Sequence, residues 1–135
     1  MPTKTIAVLT AALAVTMLAG CSAGSSKAEQ CTKFSERVSS AASGVQDSVA
    51  NLQSDPDAAV SKLKDLDDKI KSGVSDISDA DLKAKADDFE NAYSGLITQI
   101  EAYAKDPQSV DVSKLTAASS KVQSTGKAFQ SECTS

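Results

Sequence analysis

A chain of 135 residues without histidine or tryptophan lacks the usual general base near neutral pH and the commonest metal ligand. Its 18 Asp and Glu outweigh 14 Lys and Arg, which speaks against nucleic-acid binding and against electrostatic attraction to anionic lipid. Both methionines fall within the first 17 residues, and Phe34, Phe89, Phe129, Tyr93 and Tyr103 are the whole aromatic set. A core built chiefly of Ala, Val, Leu and Ile follows.

The N-terminus reads as a leader. Lys4 supplies a small positive charge, and Ile6 to Met17 forms an apolar run long enough for a secretory signal. The run is too short to span a bilayer as a helix. It ends in Leu18-Ala19-Gly20-Cys21. This segment resembles the signal peptide and lipobox of bacterial lipoproteins. The resemblance implies cleavage between Gly20 and Cys21 and acylation of the Cys21 thiol. A thioether-linked diacylglycerol then holds the chain to the extracytoplasmic side of the cell membrane. Each buried methylene contributes ~0.8 kcal/mol, and two or more acyl chains give the stable anchoring that one does not. Membrane lipid is therefore the first expected partner, reached through Cys21. Residues 21–30 read as a flexible tether, because Ser22-Ala23-Gly24-Ser25-Ser26 has no apolar periodicity.

Without residues 1–20 the chain has 115 residues, enough for one domain with one core. That domain is expected over residues 31–135. Apolar spacings of three and four predict four helices and no strand. The first, near 29–53, carries Phe34, Val38, Ala41, Ala42, Val45, Val49 and Leu52. The second, near 57–77, carries Val60, Leu63, Leu66, Ile70, Val74 and Ile77. The third, near 80–104, carries Leu82, Ala86, Phe89, Tyr93, Leu96, Ile100 and Tyr103. The fourth, near 113–132, carries Leu115, Ala118, Val122, Phe129 and Cys133.

The breaks carry capping chemistry. Asp55-Pro56 offers an N-cap followed by proline at the first helical position. Asp106-Pro107 offers the same, with Asp111 or Ser113 as later starts. Ser78 and Asp81 resemble a capping box with Asp in place of Glu. Short connections make sequential helices antiparallel neighbours, giving an all-α, up-down-up-down four-helix bundle.

Cys31 and Cys133 are the cysteines left after Cys21. In an exported domain an even pair reads as a disulfide. The topology brings the start of the first helix and the end of the fourth to the same end of the bundle, where a Cys31–Cys133 bond joins the termini.

A shift of 52 superposes Val60-Ser61-Lys62-Leu63 on Val112-Ser113-Lys114-Leu115, and a shift of 51 aligns apolar positions of the first and third helices. Two related αα-hairpins, or two hairpins in a shared heptad-like register, account for this equally. Gly44, Gly73, Gly95 and Gly126 fall inside predicted helices, at ~1 kcal/mol each relative to Ala. Close helix approach, a local kink or an exposed position explains such glycines.

The motifs for chemistry are sparse. Asp65-Leu66-Asp67-Asp68, Asp76/Asp79/Asp81 and Asp87-Asp88 lack the spacing of a calcium loop and read as solvated faces. Ser61–Lys64 and Ser124–Lys127 match a bare Ser-x-x-Lys, without the Ser-Asp-Asn and Lys-Thr-Gly motifs of the enzymes that use it. No enzyme, cofactor or metal is expected.

Cys31-Thr32-Lys33-Phe34, the Asp-Pro helix start, the Ser113-Lys114-Leu115-Thr116-Ala117-Ala118 run and the late Cys133 together resemble small Ala-, Ser- and Asp-rich actinobacterial lipoproteins or secreted proteins. That resemblance implies location and fold and brings no functional residues with it. The expected role is a non-enzymatic envelope lipoprotein acting through protein–protein contacts, as scaffold or accessory subunit, with an envelope protein as partner. The alternative is a carrier or sensor of a small apolar ligand inside the bundle. Partner contacts are expected on the loops far from the tether and on the outer helix faces.

Overall fold

The structure, a computed structural model, describes residues 26–135, with the side chains of 41, 42 and 44–49 left out. The chain runs through α1 (Lys27–Ala50), α2 (Pro56–Ser75), α3 (Ala80–Lys105) and α4 (Val112–Cys133). No strand occurs among the described residues. The four helices form the expected up-down-up-down bundle. Successive helices pack side by side, whereas α1 and α4 touch less extensively.

Local chemistry sets the helix boundaries. α1 begins two residues earlier than its apolar spacing suggests, so residues 27–30, expected in the tether, are helical. The cause is a reciprocal capping box. The Ser26 hydroxyl accepts from the Glu29 amide at 3.2 Å, and the Glu29 carboxylate accepts from the Ser26 amide at 3.0 Å. Asp55 caps α2 as expected, accepting from the Ala58 amide at 3.1 Å, with Pro56 at the first helical position.

One cap differs from expectation, and another falls on one of the two later starts expected for the fourth helix. α3 is capped by Asp79, which accepts from the Leu82 amide at 2.8 Å, and not by a Ser78–Asp81 box. The Gln30 side chain is the reason. Its buried carbonyl oxygen accepts from the amides of Ser78 and Asp79 at 2.8 and 3.1 Å, fixing the α2–α3 connection one residue out of the box register. α4 starts at Asp111, which accepts from the amides of Ser113 and Lys114. Asp106 instead ends α3 and accepts from the Gln108 amide.

This late start bears on the apparent repeat. Val60 is the fifth residue of α2, whereas Val112 is the first of α4 and is 70% exposed. The matching strings therefore stand one turn apart relative to their helix starts.

The core runs through the middle of the bundle. Phe34, Leu63, Leu66, Ile70, Val74, Ile77, Leu82, Ala86, Tyr93, Ile97 and Phe129 are buried. On α3 the expected stripe followed Leu96 and Ile100, but the deeper residue is Ile97, one helical turn beyond Tyr93. α3 is flanked by two neighbours, α2 and α4, so its apolar surface is wider than one stripe. α4 lies at the edge of the core and fully buries only Phe129.

Candidate functional site

The expected processing and lipidation residues, Gly20 and Cys21, lie outside the described residues, as does the tether up to Ser25. The end of the bundle that holds the start of α1 and the end of α4 is tightly fastened. Cys31 and Cys133 form a disulfide with Cα atoms 5.8 Å apart. One turn deeper, the rings of Phe34 and Phe129 lie with centroids 4.7 Å apart. On the outside, the Lys27 ammonium donates to the Glu132 carboxylate at 2.5 Å and to the Ser135 hydroxyl at 3.2 Å. The Lys27–Glu132 hydrogen bond raises the lysine pKa and lowers that of the glutamate. The entry and exit of the domain are thus bound to each other by a covalent bond, an aromatic contact and an ion pair.

Neither Ser-x-x-Lys match is arranged for catalysis. A nucleophilic serine needs a nearby lysine with a lowered pKa in a desolvated setting. Ser61, Lys64, Ser124 and Lys127 are all exposed, Lys64 pairs with Glu101, and the Ser124 hydroxyl donates to its own helix at Lys121. Where the structure displaces a lysine pKa, at Lys27 and Lys71, the direction is upward, away from a base.

Several of the acidic groups are occupied in structural work. Asp79 is a helix cap, Asp76 pairs with Arg37, and Asp87 with Lys83. Asp67 is buried between α2 and α3, where it accepts from Ser94 at 3.0 Å and pairs with Lys71. Lys71 also lies 3.8 Å from Glu90. The hydrogen bond to Asp67 raises the Lys71 pKa. Beside this network, Tyr93 has its phenol pushed well above the ordinary value of 10.0, by burial first and by the Asp67 charge second. Among the described residues, no three acidic or cysteine side chains converge into a metal site.

Two of the clefts among the described residues are candidate binding surfaces. An apolar groove of about 150 Å³ lies between α1, α3 and α4, over Phe34, Val38, Phe89 and Phe129. A more polar cleft of about 280 Å³ lies between α1 and α2. Lys33 and Arg37 form one wall, Asp76 the other, and Phe34, Gly73 and Ile77 the floor. Arg37 donates to Asp76 at 2.8 Å and to Ser72 at 3.2 Å. Sequence reasoning missed this cleft, because Lys33 and Arg37 look like an ordinary solvated face. The available signal was a glycine on α2, Gly73, amid large apolar neighbours.

Comparison with known proteins finds no matching family model, no matching curated protein and no matching solved structure.

Proposed function

We propose that this protein is a non-enzymatic envelope lipoprotein, anchored through acyl chains on Cys21 and acting through protein contacts of its helical bundle. The observation that carries the reading is the fastened end of the domain. Cys31, Phe34, Phe129 and Cys133 lock the first and last helices together, beginning ten residues after Cys21. The five residue steps from Cys21 to Ser26 reach at most about 17 Å when extended. A pull on the tether is therefore borne by a disulfide-closed end and not by a fraying helix. Such a domain presents its outer helix faces within a short reach of a membrane.

The same features favour contact over chemistry. The serine–lysine pairs are exposed, with Lys64 paired to Glu101 and the Ser124 hydroxyl bonded within its own helix, and several of the acidic groups act as caps and ion pairs. Among the described residues the core is packed by side chains such as Ile70 and Leu82, which speaks against an internal apolar ligand there. The groove over Phe34 and Phe129 holds about 150 Å³, below the ~300–1,000 Å³ of ordinary ligand pockets.

Metabolic labelling of the native host with a clickable fatty acid tests the anchor. Label is expected on the wild type and absent from Cys21→Ala. Labelling of the Cys21→Ala protein, or none on the wild type, overturns the anchor. Crosslinking in intact envelopes followed by affinity capture tests the contact role, and reproducible failure to recover any envelope protein counts against it.

A further inference from the structure

The chain carries three cysteines, and the fold uses one pairing of them. Cys31 is bonded to Cys133 across 102 positions, whereas Cys21 lies ten positions before Cys31. In an unfolded chain loop-closure entropy favours the shorter loop, by about thirtyfold for these two lengths. Oxidation of a chain with all three thiols free therefore closes Cys21–Cys31 first. Export from the N-terminus adds to this bias, because Cys133 enters the oxidising compartment last.

Helix packing corrects the bias only in part. The native bond spans the seam between α1 and α4, which is less extensive than the seams between successive helices. Besides the bond, the seam holds the Phe34–Phe129 ring contact and the Lys27–Glu132 pair. Cys31 is thus placed chiefly by the packing of α1 on α2, while Cys133 rides on α4, which packs on α3. A formed α1 also leaves Cys31 within range of Cys21. From Ser26 to Cys31 the helix rises about 8 Å, and the five residue steps before it span up to about 17 Å. In the closed bundle Cys31 is only 6% exposed, which obstructs later attack on its bond by another thiol. The competition is therefore decided before the seam closes.

We propose that acylation of Cys21 does more than anchor the chain: it removes the competing thiol, and it precedes oxidation of Cys31 and Cys133 wherever the native bond forms. The inference rests on the anchor reading above and sets the order of two reactions. The first is an alkyl transfer. The Cys21 thiol loses its proton and its sulfur bonds to a glyceryl carbon of a membrane phospholipid, while the bond from that carbon to the phosphate oxygen breaks and the phosphate headgroup leaves with the electron pair. The second is an oxidation. The Cys31 and Cys133 thiols give up two protons and two electrons to the disulfide of an exported thiol oxidoreductase, which leaves as a dithiol. A thioether sulfur takes no part in that exchange, because the attacking species is a thiolate.

Disulfide mapping of the full-length chain in its native host tests the order. Free thiols are blocked on harvest, and peptides are mapped without reduction. Wild type and Cys21→Ser are each compared in normal cells and in cells depleted of the diacylglyceryl-transfer enzyme. Wild type in normal cells, and Cys21→Ser in either, are expected to carry Cys31–Cys133 alone. Wild type in depleted cells is expected to carry Cys21–Cys31 and about threefold less of the native bond, a smaller effect than chain statistics alone because the α1–α4 contacts favour the native pair. Heavy-isotope pulse labelling reads the pairing soon after synthesis, before a mispaired chain is degraded. Equal native pairing of wild type and Cys21→Ser in depleted cells overturns the order and leaves the anchor standing. An unmodified Cys21 thiol beside an intact Cys31–Cys133 bond, in wild type from normal cells, overturns both.

Discussion

Phe34 on α1 lies directly over Gly73 on α2, with its Cδ2 atom 2.8 Å from where a β-carbon at residue 73 would stand. Gly73→Ala therefore pushes against a buried ring that also packs on Phe129 and meets Phe89 edge-on. Overpacking of this kind costs about 1–3 kcal/mol, against ~1 kcal/mol gained in helix propensity. A net loss of about 1 kcal/mol is expected. Gly95 has nothing within 4 Å of its virtual β-carbon, and Gly95→Ala is expected to add about 1 kcal/mol. Urea unfolding of the two variants decides it, since equal effects at both positions would contradict the close approach at Gly73.

Reduction of the Cys31–Cys133 bond removes a crosslink between residues 102 positions apart. The chain-entropy account gives ~4.7 kcal/mol for a loop of this size, and native disulfides in small domains contribute about 2–5 kcal/mol. The paired Cys31→Ser and Cys133→Ser protein is expected to lose stability in that range. Alkylation of denatured wild type is expected to modify these two thiols only after reductant is added. Modification without reductant refutes the bond.

Cap identity separates two neighbouring residues. Asp79→Ala is expected to cost about 1 kcal/mol, because the Leu82 amide loses its acceptor. Ser78→Ala is expected to stay within about 0.5 kcal/mol, because the Ser78 amide, and not its hydroxyl, contacts Gln30. Thermal melts of the two single variants read the difference directly.

Stability is expected to fall on the alkaline side. Tyr93 ionises near 10.0 in the unfolded chain, while burial holds its folded pKa above that value. Above pH 10 the unfolded state therefore binds fewer protons than the folded state, and rising pH favours unfolding. Lys71 acts in the same direction. Its raised pKa contributes stability that is present below 10.5 and lost as pH climbs through the folded value. On the acid side Glu132 contributes stability that is present above 4.5 and lost as pH drops through its lowered value. Urea midpoints from pH 4 to pH 11 check the profile. Tyr93→Phe is expected to flatten the alkaline limb, and an unchanged limb would remove Tyr93 from the explanation.

By itself, the sequence determined the four helices, their antiparallel order and the Cys31–Cys133 pairing. Helical periodicity, short connections and cap residues such as Asp55 act over a few residues and are visible in the string. The Ser26–Glu29 capping box was missed, because apolar spacing pointed past it to a later start. Tertiary structure alone decided what depends on a neighbouring helix. Gln30 selected Asp79 over the Ser78 box by reaching across 48 residues to the α2–α3 connection. Two flanking helices made Ile97 deeper than Leu96, because an α-helix facing two partners buries more than one stripe. Asp67, read as part of a solvated face, is buried because Ser94 and Lys71 satisfy it across the α2–α3 interface. The α1–α2 cleft is of the same kind. Lys33, Arg37, Gly73 and Ile77 become one surface only when an antiparallel hairpin sets residues some 40 positions apart side by side.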